Sequence, residues 1–264
     1  MKVREKLILV TNDDGVNSKG IQTLAKIASK FGKIVVAAPL EGQSGMSHAI
    51  TIKSPLRIKK TKTIDKIEFY GCSGTPVDSV KLAINKILRR KPDLILSGIN
   101  HGSNASTSIV YSGTMAAAIE GCINRIPSLG FSVLDWKEDT EFSHLNLYIE
   151  NIIKNVLEGG LPDGICLNIN MPRENGKMIK GIKICRQNNG YWKEEFDHRK
   201  DPGNNDYFWL TGEYINLEPK AKDTDEWALK NNYISVVPVK IDFTCYDTIL
   251  HLKHWENFKE DDKN

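Results

Sequence analysis

The sequence predicts an α/β fold built on a mostly parallel, doubly wound sheet, and three observations carry that prediction. Short apolar runs alternate with helix-period segments through the first half of the chain. The runs are apolar at successive positions, as strands buried on both faces are. Each run then ends in a polar loop, and in open α/β sheets ligands collect beyond the carboxyl ends of the strands. With 264 residues and 40% hydrophobic content, the chain can bury a full core. The expected organisation is one domain overall, with a core over residues 1–186 and, over 187–264, an arm, a returning strand and a C-terminal segment.

Taken in order, Leu7–Thr11 (LILVT) reads as the first buried strand and Ser18–Phe31 as a helix. That helix sets Ile21, Leu24, Ala25, Ile27, Ala28 and Phe31 on one face and stops at Gly32. Ile34–Pro39 is a second buried strand, leading into the Gly/Ser-rich loop Leu40–His48. Ile50–Lys60 and Ile67–Cys72 alternate as a hairpin or meander would. Thr75-Pro76 opens a helix over Val77–Leu88, because proline suits a first helical turn. Asp93–Leu96 is a third buried strand, and Ser97–Asn104 the polar loop after it. A small-residue helix follows Tyr111-Ser112-Gly113-Thr114 and runs to about Asn124, then Pro127–Val133 is a fourth strand.

Beyond these, Leu145–Leu157 is expected to be helical, and Gly164–Asn170 and Gly181–Arg186 to be strands. Gln187–Asp206 is polar and reads as a long loop or arm; so long a loop is unusual inside a domain, and packing on another subunit would explain it. Tyr207–Leu210 and Tyr233–Val239 are aromatic or β-branched strands, and Ile249–Phe258 a closing helix.

Composition narrows the function classes. Lys plus Arg total 36 against 33 Asp plus Glu, a formal charge of +3, too small to argue for a dedicated nucleic-acid surface. The apolar run after MKVREK is too short for a signal-peptide core and no stretch approaches a membrane span, so the expectation is a cytoplasmic protein without a membrane partner. Cys72, Cys122, Cys166, Cys185 and Cys245 are odd in number and lack a CxxC pair, which suits reduced, packed thiols. The basic stretch Lys53, Arg57, Lys59, Lys60, Lys62 and Lys66 reads as a solvated face or edge protection.

Candidate chemistry gathers in the loops. Asp13 and Asp14 end the first strand, and adjacent carboxylates repel unless a cation lies between them; an oxygen-preferring divalent ion such as Mg²⁺ or Mn²⁺ meets that need. Taken alone, Asn, Asp and Gly here would also make an ordinary turn. A doubly wound sheet, however, brings Asp13, Asp14, Ser44 and Asn100 to one edge, where two carboxylates balance the ion and two neutral oxygens add coordination without charge. Ser112-Gly113-Thr114 opens a helix whose free N–H groups and dipole favour a phosphate, with Asn104 as a further donor. Ser or Thr there also serves as a plain helix cap. His48 and His101 lie in these loops as candidate proton donors, whereas His251 and His254 lack a third metal ligand and read as surface.

In this setting the motifs VTNDDG (Val10–Gly15), QSG (Gln43–Gly45), SGTPVD (Ser73–Asp78), SGINHGSN (Ser97–Asn104) and YSGTMAAAIEG (Tyr111–Gly121) stand in a specific order. LNINMP (Leu167–Pro172), Asp201-Pro202 with Tyr207–Trp209, and TDEWAL with YISVVPV continue it. Together they closely resemble the SurE family of stationary-phase survival proteins, metal-dependent 5′/3′-nucleotidases, nearly end to end. The resemblance implies one divalent ion per subunit on Asp13, Asp14, Ser44 and Asn100, and phosphate contacts at Asn104, Ser112, Gly113 and Thr114. It further implies a Rossmann-like three-layer core with an extended β-hairpin or C-terminal arm, and homodimers or homotetramers joined by exchanged C-terminal segments and hairpins. Residues Ala105–Ser108 depart from the family pattern, which there often carries Gly and acidic residues.

The expected reaction is therefore hydrolysis of nucleoside 5′- and 3′-monophosphates, with short polyphosphate as a further candidate substrate. A dinucleotide-binding dehydrogenase would need GxGxxG after the first strand, and TNDDGVNSKG lacks it. The adjacent acids do not form the DxD of an aspartyl-phosphate phosphatase. A non-catalytic metal-dependent nucleotide sensor or receiver-like module is the alternative, and it wants a phosphorylatable Asp after a later strand, where LILSGIN has none.

Overall fold

The computed structural model describes residues 4–137 and 140–257. β1 (Leu7–Thr11), α1 (Lys19–Ala28) and β2 (Lys33–Pro39) open the chain; β3 (Ile58–Ile64), β4 (Ile67–Cys72) and α2 (Pro76–Leu82) follow, α2 extending as a π-turn over Ala83–Ile87. Then come β5 (Leu94–His101), α3 (Gly113–Ile123), β6 (Ser128–Val133), α4 (Asn146–Gly159), β7 (Ile165–Met171) and β8 (Ile182–Ile184). The remainder holds β9 (Gly190–Lys200), β10 (Asp206–Asn216), α5 (Asp225–Lys230), β11 (Ile234–Lys240) and α6 (Tyr246–Leu252).

Nine strands form one sheet in the order β3-β4-β2-β1-β5-β6-β7-β11-β8. Pairing is parallel from β4 through β7 and between β11 and β8, and antiparallel at β3–β4 and β7–β11. The mostly parallel α/β class is thus as expected. Period-2 side-chain alternation divides the core into two apolar layers. Ile8, Val10, Leu94 and Leu96 pack toward α1 and α4, while Leu9 and Ile95 pack toward α2 and α3. Caps fix where helices start: Ser18 Oγ accepts from Ile21 N, and Thr75 with Asp78 makes a reciprocal capping box ahead of Pro76.

Chain order reverses between β1 and β5: the chain leaves β1 toward β2 and β4 on one side and returns through β5 on the other. That reversal opens the crevice where such sheets bind ligands. Within β5 the register with β6 shifts between Ser97 and Asn100. Gly98 there has φ +130°, and a Cβ on it would meet Phe131 O at 2.4 Å. A break of this kind re-aims the residues that follow it, here Asn100 and His101.

Several expectations need correction. Residues 50–57 form no strand; Ser54-Pro55 interrupts the run, and Ile50 and Ile52 stay exposed. The strand β5 continues through His101, so much of the expected loop Ser97–Asn104 is strand. Of the loop or arm expected over Gln187–Asp206 the structure has the arm: most of it is β9, paired antiparallel with β10 from Gly190↔Asn216 to Lys200↔Asp206 in the extended hairpin that the family resemblance implies. The closing helix is Tyr246–Leu252 with a 3₁₀ turn to Asn257; Phe258 lies outside the described residues. All five cysteines are free, and only Cys245 is exposed. Among the described residues no helix is long and apolar enough to cross a membrane. The basic strand β3 lies at the sheet edge, where Lys60 pairs with Glu68 and Lys62 donates to Asn17 Oδ1.

Candidate active site

The loop after β1 is fixed by its own polar groups. Asn12 donates through Nδ2 to Gly15 O (3.1 Å) and Ser18 Oγ (2.8 Å), and Gly15 turns the chain at φ +100°. Gln43 N donates to Asp13 O at 2.7 Å, which ties the loop carrying Ser44 to the loop carrying the paired acids. On the far side, Ser112 Oγ caps α3 by accepting from Met115 N at 3.0 Å. The first residues of α3 face Asp13. The Thr114 hydroxyl donates to Asp13 Oδ1, its backbone N–H is directed to the same carboxylate, and Gly113 leaves the room that the carboxylate occupies.

Asp13, Ser44, Asn100, Asn104 and Ser112 line one cavity of about 400 Å³, with His101, Tyr111, Trp136 and Trp192 on its other walls. Asn100 donates through Nδ2 to Gly102 O at 3.0 Å, which leaves its Oδ1 as the available oxygen. Asn104 is held by three buried hydrogen bonds, two to amides and one to a hydroxyl: its N donates to Asn170 Oδ1 (2.8 Å), its O accepts from Asn168 Nδ2 (2.8 Å), and its Nδ2 donates to Ser132 Oγ (2.6 Å). A carboxamide nitrogen carries two hydrogens, so one donor remains for an anion.

The paired acids are electrostatically poised for a cation. Burial, reinforced by the charge of Asp14, pushes the Asp13 carboxyl up to about 7. Burial lifts Asp14 to about 6, against the backbone N–H of His101 that donates to it. Asp14 Oδ2 is buried and makes no hydrogen bond. An unpartnered carboxylate oxygen next to a second buried carboxylate is what a bound divalent ion would satisfy. Among the described residues no group of three His, Cys, Asp or Glu side chains is placed to hold a metal. The oxygens available near the two carboxylates are the neutral ones of Ser44 and Asn100, and such an all-oxygen set would fit an oxygen-preferring divalent cation.

The family model described as "Survival protein SurE" matches residues 8–194. The chain belongs to the SurE family. Among SurE relatives, the "5′-nucleotidase SurE" of Flavobacterium psychrophilum is 51% identical over 251 residues, covering 95% of this chain and 97% of the relative. The protein of the same name from Christiangramia forsetii is 49% identical over 257 residues, covering 97% and 98%. The crystal structure of the SurE protein from Aquifex aeolicus superposes with a TM-score of 0.82 at 38% identity, covering 95% of this chain and all of that one.

Within this SurE chain the two histidines singled out from the sequence part company. His101 reaches the cavity wall, with its ring 5.6 Å from Phe142 and a buried Nδ1 that makes no hydrogen bond. His48 instead sits 3.3 Å from the buried Glu120 and lines a different cavity. His251 and His254 are exposed on the C-terminal helix and turn. Sequence reasoning passed over Asn168, Asn170 and Ser132, which hold Asn104, although the signal was present: two amides at alternate positions of an otherwise apolar strand. It also passed over Glu120, buried in a small-residue helix and bonded to Lys81, His48 and Asn124.

Proposed function

We propose that the protein is a metal-dependent phosphatase that hydrolyses nucleoside 5′-monophosphates, and 3′-monophosphates, to nucleoside and phosphate. The observation that carries this reading is a single cavity where Asp13, Ser44 and Asn100 meet Asn104 and the capped N-terminus of α3, with the unpartnered Asp14 oxygen beside them. The curated names of the Flavobacterium and Christiangramia relatives support the nucleotide class.

In this reading Asp13, Asp14, Ser44 and Asn100 hold one Mg²⁺ or Mn²⁺ per subunit. The bound ion supplies charge neutralisation at the phosphoryl oxygens and an activated water. Thr114 fixes the Asp13 carboxylate through its hydroxyl and N–H, so Asp13 presents one orientation. Ser112 Oγ uses a lone pair on its cap and keeps its O–H proton to donate to a phosphate oxygen, alongside the Gly113 N–H and the remaining Asn104 N–H. Those donors stabilise charge on the phosphoryl group as it moves between in-line oxygens. His101 is the side chain on the cavity wall that can deliver a proton to the departing alkoxide. The division of the chain into a catalytic core over residues 1–186 and an assembly segment over 187–264, a homodimer or homotetramer, and a cytoplasmic location belong to the same proposal.

Phosphate release from a panel of nucleoside monophosphates, with and without EDTA and with Mg²⁺ or Mn²⁺ restored, tests it. Turnover that requires the ion is expected; turnover indifferent to EDTA, or none on any nucleotide, would overturn it.

A further inference from the structure

Resting on the nucleotidase reading, we infer that Trp136 and Trp192, with Tyr111, form a nucleobase-stacking subsite facing the phosphate pocket. The cavity is about 400 Å³, far more than a phosphate group fills, and three aromatic rings, Tyr111, Trp136 and Trp192, stand in its lining. Among the described residues no lysine or arginine lines it, which favours a neutral, π-faced group over further phosphates for the remainder of the ligand.

Each ring is placed by the structure and kept open to solvent. Trp136 follows β6 and is 79% exposed, yet its ring lies directly on Gly102: a Cβ there would be 2.4 Å from Cη2 and 2.6 Å from Cζ3. Gly102, with φ +99°, belongs to the turn directly after Asn100 and His101 and is tied back to β6 by its N–H to Val133 O at 2.9 Å. The indole is therefore seated against the same turn that presents Asn100. Trp192, on β9, is 41% exposed; its Nε1 donates to Ser108 Oγ at 3.2 Å and its ring meets Tyr214 edge-on at 5.9 Å. These contacts hold the edge of the indole and fix its orientation toward the cavity it lines. An exposed tryptophan seated on one side keeps apolar ring surface open to solvent, and a stacked base covers such surface without regard to which base it is. Tyr111, 54% exposed and directly before the phosphate-binding Ser112, extends the aromatic wall toward the phosphate end.

The test is steady-state kinetics of wild type, Trp136→Ala, Trp136→Phe and Trp192→Phe on adenosine 5′-monophosphate and on ribose 5-phosphate, which keeps the phosphate and sugar and lacks the base. Trp136→Ala is expected to raise KM for the nucleotide about tenfold with kcat little changed, and to leave ribose 5-phosphate within about twofold. Trp136→Phe, which keeps a stacking face, is expected to recover most of that loss, and Trp192→Phe to cost less than Trp136→Ala. Equal changes on both substrates, or none on either, would overturn the subsite while leaving the nucleotidase reading intact. A wild type that cleaves neither substrate would overturn both. Quenching of tryptophan fluorescence by adenosine alone reads the subsite without turnover, and its persistence unchanged in Trp136→Ala with Trp192→Phe would also overturn it.

Discussion

Gly113→Ala probes the packing of the α3 tip against Asp13. A Cβ at this position would meet Asp13 Cβ at 2.8 Å, Oδ2 at 3.0 Å and Cγ at 3.2 Å. Ordinary carbon contacts begin near 3.4 Å, so the carboxylate has to retreat by roughly 0.6 Å or α3 has to lift. Overpacking of this kind costs about 1–3 kcal/mol, and alanine in place of glycine in a helix returns up to about 1 kcal/mol. The net stability change is small, a fall in Tm of a few degrees at most. Function has no such compensation, because misplacing a catalytic group by about 1 Å costs on the order of 10²-fold in rate. The expected result is therefore a fall of about 10²-fold in kcat/KM and weaker Mn²⁺ binding by calorimetry, in a protein whose melting curve is nearly unchanged. Wild-type turnover and metal affinity in folded Gly113→Ala would refute the placement of Asp13 against the tip of α3.

Other expectations follow from the same contacts. Asp13→Asn and Asp14→Asn should each lower turnover at least about 10²-fold under limiting metal without unfolding the chain, and Asp13→Asn should raise the melting temperature of the metal-free protein, since it removes half of a buried like-charge pair. Near-wild-type activity in either variant would contradict this. Because Asp13 and Asp14 titrate near 7 and 6 in the fold and near 3.8 when unfolded, the metal-free fold holds extra protons between those values. Its stability should then fall as pH rises from about 4 to 7, while Mn²⁺ affinity should rise over the upper part of that range as the ion displaces the protons. Calorimetric affinities flat between pH 5.5 and 8 would speak against it. Thr114→Val should weaken metal binding about 10–100-fold and Thr114→Ser much less, as expected when only the hydroxyl bonded to Asp13 is lost. His101→Gln should slow hydrolysis of a nucleotide about 10²-fold and of p-nitrophenyl phosphate far less, because a nitrophenolate leaves without a proton; equal losses on the two would remove His101 as the acid.

The parallel part of the sheet was legible because burial on both faces writes itself as an uninterrupted apolar run. β1 begins and ends where LILVT does, and β2, β6 and β7 differ from their apolar runs by a residue or so at an end. The extended hairpin came from the family resemblance and not from the residue pattern of β9. In β9, GYWKEEFDHRK carries charges on both faces, and its strand character comes from its partner: Phe196 meets Phe208 edge-on at 6.5 Å and His198 stacks on Phe208 at 4.7 Å. Ile50 and Ile52 misled in the opposite way, since their alternation is real but no neighbouring strand pairs with it. At the site, the loop residues were readable from the rule that ligands collect beyond parallel strands. The occupation of Thr114 by Asp13, and of His48 by Glu120, depended on side-chain partners from distant segments, which spacing does not reveal.

The most direct test is a crystal grown with Mn²⁺ and examined by anomalous scattering. One peak per subunit is expected beside the tip of α3, with oxygens of Asp13, Asp14, Ser44 and Asn100 at about 2.0–2.3 Å. A peak elsewhere, or one coordinated by other side chains, would contradict the site described for this chain.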